Sequence, residues 1–185
     1  MHHKNNETSN SVEIRPASRK DARAILAIYS YYIKETAITF EIDVPTISEF
    51  QKRMDNILTE YPYLVAERDG NIVGYAYARA FVGRAAYKHS AELTIYLSPS
   101  EKGHGTGRNL YTALEQALSS MGVINLYACI GDPITEDEYL THNSENFHTH
   151  LGFTKVGTFH KCGRKFNRWY NMIWMEKMIG NHPDN

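Results

Sequence analysis

The hydrophobic positions of this chain switch repeatedly between a period of two and a period near 3.6, and the switches lay out its elements. Residues 12–15 read as a short strand that Pro16 ends. Ser18 and Asp21 have the spacing of an N-terminal cap pair, and Ala22, Ile25, Leu26, Tyr29, Tyr32 and Ile33 then share one helical face. Residues 36–40 read as extended and irregular. Thr46 and Glu49 repeat the capping spacing and open a helix with Phe50, Met54, Ile57 and Leu58 inward, before Pro62. Residues 63–67 form a strand, Asp69-Gly70 a two-residue hairpin turn, and residues 72–78 the returning strand. A loop over 81–88 follows.

The next stretch organises the rest. Leu93, Ile95 and Leu97 alternate with Glu92, Thr94 and Tyr96, which predicts a strand with two different faces. Pro99 and Ser100 stop it. Glycines at 103, 105 and 107 follow, and then a helical pattern through Leu110, Tyr111, Leu114, Leu118 and Met121, with Gly122 as its stop. Residues 125–130 form another strand, and Asp132-Pro133 begins a polar connection. A helix over 144–150 ends at Gly152, and strands over 153–160 and 168–175 close the chain. This order predicts a mixed α/β sheet in one domain over residues 11–178, with a disordered polar tail at 1–10 and a short tail at 179–185.

Composition narrows the class. With 185 residues, 42% hydrophobic and 22% charged, the chain reads as an ordinary globular domain able to bury a core. A net charge of −1 gives no case for nucleic acid or an anionic membrane surface. No apolar run reaches the length of a membrane span, and no signal peptide is visible. Two cysteines, Cys129 and Cys162, suggest neither a disulfide framework nor a zinc site, so the expected setting is a reducing, cytoplasmic one.

Glycines at a helix start let backbone N–H groups approach a ligand, and with the helix dipole they favour phosphate oxygens. The P-loop spacing is absent. The dinucleotide pattern fails because Arg108 takes the place of its third glycine. What fits is Lys102-x-x-Gly105-x-Gly107, which resembles the acetyl-CoA loop of the GNAT acetyltransferases. Lysine in the first place keeps the positive charge and loses the planar fork of arginine.

The resemblance extends from about Glu13 to Glu176 and narrows to the phosphinothricin/methionine sulfoximine N-acetyltransferase branch. It rests on Tyr32-Ile33 with Thr39-Phe40, on Tyr61-Pro62-Tyr63-Leu64-Val65-Ala66-Glu67 and on Gly74-Tyr75-Ala76-Tyr77-Ala78. Ala91-Glu92 with Thr94-Ile95-Tyr96-Leu97-Ser98, Leu110-Tyr111-Thr112, His148 with Leu151-Gly152-Phe153, and Lys165 with Trp169 complete it. It implies the GNAT acyl-CoA N-acyltransferase fold, an α/β (α+β) architecture with about seven strands in a mixed sheet flanked by about four helices.

Acetyl transfer from a thioester to an α-amine needs a base, a polarised carbonyl and a proton for the leaving thiol. Glu92 is the candidate base, since its strand leads into the cofactor loop and the resemblance places the family's catalytic glutamate there; the alternative is a solvated strand residue. A distorted strand near Tyr96 or Leu97 is expected to give the oxyanion donor. Gly103, His104, Gly105, Thr106, Gly107 and Arg108 are expected to hold the pyrophosphate through backbone N–H groups. His148 takes the helix position where many relatives carry a tyrosine as general acid; a structural histidine is the alternative.

Near that helix the chain departs from the family. Thr141, with Asn143 and Ser144 following, replaces an asparagine expected to contact the pantetheine arm, and residues 135–139 form a slightly long polar insert. For the substrate, Arg84, Lys165 and Trp169 match residues of the branch, and Phe40 and Tyr87 are expected to wall the pocket. Phe166, Tyr170 and Asn171 depart from the herbicide-detoxifying members. The expected activity is transfer of acetyl from acetyl-CoA to the α-amine of a small amino acid or analogue, with a homodimer expected by analogy. A GNAT enzyme for another amine (a different amino acid, a polyamine or a protein N-terminus) and a non-catalytic acetyl-CoA sensor are the alternatives. Arg84 and Lys165 argue against a polyamine, and Glu92 argues against a sensor.

Overall fold

The computed structural model describes residues 11–101 and 103–183; the expected N-terminal tail, Lys102 and residues 184–185 lie outside the described residues. The strands are β1 (Glu13–Pro16), β2 (Tyr63–Arg68), β3 (Asn71–Ala80), β4 (Ser90–Leu97), β5 (Asn125–Asp132), β6 (Thr154–Lys165) and β7 (Arg168–Met178). The helices are α1 (Ala22–Glu35), α2 (Ile47–Leu58), α3 (Thr106–Ser120) and α4 (Asn143–His150). All seven strands form one sheet in the order β1-β2-β3-β4-β5-β7-β6. Neighbours are antiparallel except β4 and β5, which run parallel. This is the mixed sheet with four helices that the element order predicts.

The alternation along β4 divides the core into two layers. Leu93, Ile95 and Leu97 pack with Leu110, Tyr111, Leu114 and Leu118 of α3 on one face. Tyr96 joins Ile25, Phe50, Met54, Tyr63 and Tyr75 on the other face, under α1 and α2. Each fully buried leucine on α3 contributes about 2 kcal/mol by leaving water. Thr46 and Glu49 form the expected capping box on α2: the Glu49 carboxylate accepts from Thr46 N at 2.8 Å, and Thr46 Oγ1 accepts from Glu49 N at 3.3 Å. Asp69 and Gly70 both have positive φ, as the hairpin turn between β2 and β3 requires.

Several expectations need correction. Asp21 does bond Ser18 N, at 2.7 Å, but the pair caps a single 3-10 turn (Arg19–Asp21) that precedes α1. Ile28 joins the buried face of α1, where the sequence pattern does not include it. Met121 is half exposed, because α3 stops one residue earlier and Gly122 turns the chain with φ +81°. The last two strands are longer than expected and meet in a tight turn at Phe166 and Asn167, both with positive φ.

One feature of the sheet positions the site. The β4–β5 ladder runs only from Ser90↔Asn125 to Leu93↔Ala128. Beyond it both strands continue, β4 along β3 as far as Leu97↔Gly74 and β5 along β7 as far as Asp132↔Asn171. The two strands therefore diverge, each with one edge paired and one edge free. A backbone edge away from water needs hydrogen-bond partners, so this wedge is built to receive polar groups.

Candidate functional site

The wedge opens into a cavity of about 620 Å³. Residues of β4 (Glu92 to Tyr96) form one side, and Ala128, Cys129, Ile130 and Gly131 of β5 form the other. The α1–α2 side adds Tyr29, Phe40, Glu41, Phe50 and Arg53, while Tyr111, Ser144 and His148 close the α3–α4 side. Phe40 is wedged against Gly163, where an added Cβ would meet its ring at 2.4 Å. That is a position where only glycine fits. The buried tyrosines carry neutral hydroxyls, since burial pushes those of Tyr63, Tyr75 and Tyr96 well above their ordinary range.

Glu92 lies in this cavity wall at the top of the wedge, and only 7% of it is exposed. Its register partner across the β3–β4 ladder is Arg79, and Arg79 Nη2 donates to Glu92 Oε1 at 2.6 Å. One carboxylate oxygen is thereby fixed. A buried carboxylate with a single matched counter-charge is a group that can take a proton at a defined position. Sequence reasoning missed Arg79: the nine residues between β3 and β4 hide which residue of β3 faces Glu92.

The glycine loop sits at the start of α3. Gly103 and Gly105 both have positive φ, and Gly105 is the N-cap in left-handed conformation. The first-turn N–H groups of α3 have no intrahelical acceptors, so they face whatever lies before the helix. Gly103, His104, Gly105 and Arg108 are exposed, whereas Thr106 and Gly107 are buried. An added Cβ at Gly107 would meet the Phe147 ring at 3.0 Å, so this third glycine serves the packing of α3 against α4. The loop is braced from beneath. Glu101 Oε2 accepts from Thr106 Oγ1 at 2.9 Å and from Arg68 Nη2 at 3.1 Å. Burial pushes the Glu101 carboxyl up, but the bonds from Arg68 and Thr106 outweigh burial and hold it below the usual range. The exposed donors and dipole end suit an anionic phosphate ligand such as a nucleotide pyrophosphate.

The expected distortion of β4 is absent from its ladder with β3, which stays in register from Ala91 to Leu97. Beyond Leu93 the edge of β4 that faces β5 has no ladder partner, so its backbone groups border the wedge. Tyr96 lines the cavity, and the Leu97 carbonyl accepts from the Tyr32 hydroxyl at 2.6 Å.

His148 does not have the features of a general acid. The Ser144 carbonyl can only accept, so at 2.7 Å it fixes the proton on His148 Nδ1. Nε2 then accepts from the Tyr111 hydroxyl at 2.9 Å. Burial lowers the ring pKa to about 4. The neutral ring has both nitrogens engaged and no proton on Nε2, so it holds Tyr111 in place.

Ser144 lines the cavity, whereas Thr141 and Asn143 are not among its lining residues and are joined to each other by a 3.4 Å bond from Asn143 N to Thr141 Oγ1. The structure separates the remaining substrate candidates. Phe40 is in the cavity wall. Arg84 and Tyr87 are exposed on the loop before β4, and Trp169 is exposed beneath the Arg164 guanidinium. Lys165 is buried behind the wall, where its Nζ donates to the Thr39 carbonyl at 2.8 Å. Burial lowers its pKa to about 8, against the opposing charge of Glu41. Phe166 stacks on Tyr139 at 4.1 Å, Tyr170 bonds Asp137 at 2.9 Å and Asn171 bonds Asp132 at 3.1 Å. Phe166 and Tyr170 thus anchor the polar insert to the β6–β7 hairpin, Asn171 ties β7 to the end of β5, and none of the three lines the cavity.

Comparison with known proteins agrees with this geometry. The family model described as an acetyltransferase (GNAT) domain matches residues 14–174. The chain is 33% identical over 166 residues to a phosphinothricin N-acetyltransferase of Streptomyces viridochromogenes, covering 90% of this chain and 87% of the relative. It is 29% identical to an L-methionine sulfoximine/L-methionine sulfone acetyltransferase of Salmonella typhimurium, over 92% of this chain and 98% of the relative. Among solved structures, a phosphinothricin acetyltransferase from Sinorhizobium meliloti in complex with AcCoA superposes with a TM-score of 0.84 at 33% identity, over 91% of this chain and 89% of that one. A sheet that parts beside a buried glutamate, a glycine loop opening the next helix and a match over nearly the whole chain have one common explanation: this chain belongs to the GNAT acetyltransferase family.

Proposed function

We propose that the chain transfers an acetyl group from acetyl-CoA to the α-amine of a small amino acid or analogue, of the L-methionine sulfoximine, methionine sulfone or phosphinothricin kind. The observation that carries this reading is the buried Glu92 carboxylate in the cavity wall where β4 and β5 part. The cofactor reading is supported by the exposed Gly103, His104, Gly105 and Arg108 at the start of α3, with lysine at sequence position 102 matching the motif. It is further supported by the relative solved with AcCoA.

An α-ammonium must lose a proton before it can attack. Glu92 takes that proton on Oε2, while Arg79 holds Oε1 and supplies the counter-charge. Backbone N–H groups on the free edge of β4 polarise the thioester carbonyl. The new C–N bond forms as the C–S bond breaks, and the second proton that the nitrogen sheds passes to the departing thiolate, so that coenzyme A leaves as the thiol towards the α3–α4 side of the cavity. On that side the Tyr111 hydroxyl donates its proton to the bond with His148 Nε2, so the pair shapes the wall and supplies no proton to the sulfur. Phe40 packs the aliphatic part of the substrate. Lys165 contributes from behind by fixing the Thr39 carbonyl. We assign no substrate contact within one subunit to Arg84, Tyr87 or Trp169.

The working form is inferred to be a cytoplasmic homodimer. Support comes from two unpaired cysteines and from the exposed Val156, Phe159 and Trp169 on the terminal hairpin. No helix among the described residues is long and apolar enough to cross a membrane.

The test is release of free thiol when purified protein meets acetyl-CoA and a panel of amines: methionine sulfoximine, methionine sulfone, phosphinothricin, the common amino acids and spermidine. Turnover on the first three, well above spermidine, is the expected result. Turnover confined to another amine would overturn the substrate class, and bound acetyl-CoA with no turnover on any amine would overturn the enzyme reading.

A further inference from the structure

Outside the cavity, the end of β5 meets the start of α4 at three side chains that ligate metals. They are Asp132, the last residue of β5; His142, the N-cap of α4; and Glu145, in the first turn of α4. One ligand atom from each lies within 4.8 Å of the other two. His142 Nδ1 stands 3.4 Å from Asp132 Oδ1 and 3.5 Å from Glu145 Oε2. We propose that these residues form a binding site for one divalent ion of the zinc type, outside the catalytic cavity.

The spacing carries the argument. A charge-assisted hydrogen bond from an imidazolium to a carboxylate closes to about 2.7–2.9 Å. Both distances here are longer than that. They are close to the edge of a tetrahedron with bonds of about 2.1 Å, which is about 3.4 Å, and the two carboxylate oxygens lie within 4.8 Å of each other. His142 Nδ1 itself is shut off from solvent and makes no hydrogen bond, although the rest of the ring is partly exposed. A sequestered ring nitrogen without a partner is costly unless something sits on it.

The surrounding bonds hold the donors in place. Asn171 Nδ2 donates to Asp132 Oδ2 at 3.1 Å, leaving Oδ1 towards the ring. Lys155 Nζ pairs with Glu145 Oε1 at 2.6 Å, leaving Oε2 towards it. His142 N donates to Glu136 Oε1 at 2.8 Å, which fixes the backbone beneath the ring. Such outer bonds are what orient metal ligands. One imidazole and two carboxylates favour zinc, cobalt or nickel over magnesium or calcium. A water would supply the fourth ligand. A bound ion would tie β5 to α4 three residues before His148, next to Ser144 of the cavity wall.

Chelator-stripped full-length protein is titrated with Co²⁺, read by visible absorption, and with Zn²⁺, read by calorimetry and by melting temperature, with Mg²⁺ as the hard-ion control. The expected result is one equivalent of Co²⁺ or Zn²⁺ with a four-coordinate cobalt spectrum, a raised melting temperature with Zn²⁺, and no response to Mg²⁺. His142→Ala, Asp132→Asn and Glu145→Gln should each weaken binding by at least roughly 10-fold, the range for loss of a ligand or its support. Absence of binding would overturn the proposal. Equal stoichiometry in wild type and all three variants would also overturn it, assigning the ion elsewhere, such as His2 and His3. Should Asp132→Asn or His142→Ala lose the fold, the Glu145→Gln result decides alone, since Glu145 sits at the surface of α4.

Discussion

Arg79 and Glu92 face each other across the β3–β4 ladder, and the guanidinium holds one carboxylate oxygen at 2.6 Å. Glu92 is buried while Arg79 keeps half its side chain in solvent, so the pair sits at the boundary between core and cavity. Removing Arg79 leaves a buried carboxylate without its counter-charge. A double-mutant cycle of Arg79→Ala and Glu92→Gln, read by urea denaturation, should give a coupling energy of about 1–2 kcal/mol, the upper range being reduced by solvent around Arg79. Strict additivity would show that the pair is only a surface contact.

His148 gives the fold an acid-sensitive element. Its pKa falls from 6.5 in the unfolded chain to about 4 in the folded one, because burial disfavours the charged ring. The folded state therefore binds the proton less readily. The stabilisation is fully present above pH 6.5 and is lost as pH falls towards 4, amounting to roughly 3 kcal/mol over that window. In His148→Gln, unfolding free energies at pH 7 and pH 4 should differ by correspondingly less than in wild type. An unchanged difference would mean that the ring is not the group that titrates.

The brace under the glycine loop should appear in cofactor binding. Thr106→Val removes one hydrogen bond to Glu101, worth about 1 kcal/mol, and should raise KM for acetyl-CoA roughly 3–10-fold. The kcat and the KM for the amine should stay within a factor of about two, since the cavity is untouched. Thr106→Ser, which keeps the hydroxyl, should restore the wild-type value. Equal values for all three proteins would remove the brace from any role in loop position.

Phe40 and Gly163 are coupled by space. Gly163→Ala places a methyl group where the Phe40 ring sits, 2.4 Å from its nearest carbon, so the ring must swing. KM for amino-acid substrates should rise several-fold, equivalent to about 1 kcal/mol of displaced packing, with the KM for acetyl-CoA unchanged. Unaltered kinetics with every amine would show that Phe40 does not touch the substrate.

Where local chemistry decides structure, it was legible in the sequence. The Thr46–Glu49 box, the Asp69-Gly70 turn and the two faces of β4 follow from residue pattern alone. The glycine loop could be found because a strand leading into a glycine-rich helix start is continuous in the chain, and Glu92 was singled out on that strand by the family resemblance. What could not be read depends on contacts between distant segments. The roles of Arg79 beside Glu92, Arg68 beneath Glu101 and Tyr111 against His148 are set by strand register and helix packing. His148 is the clearest case: helix position suggested an acid, but only burial and two bonding partners fix its charge and tautomer.

The central claim is that Glu92 removes the proton from the attacking amine. The most direct test is kcat/KM for the amine in Glu92→Gln and wild type across pH 6 to pH 10, with acetyl-CoA binding measured on both proteins. Glutamine keeps the shape of the side chain and cannot take the proton. At neutral pH the variant should lose roughly 10²–10⁴-fold, the scale of general-base catalysis, while binding acetyl-CoA as well as wild type does. The deficit should narrow as pH rises and the free amine deprotonates unaided. A variant that matches wild type across the whole range would contradict the account.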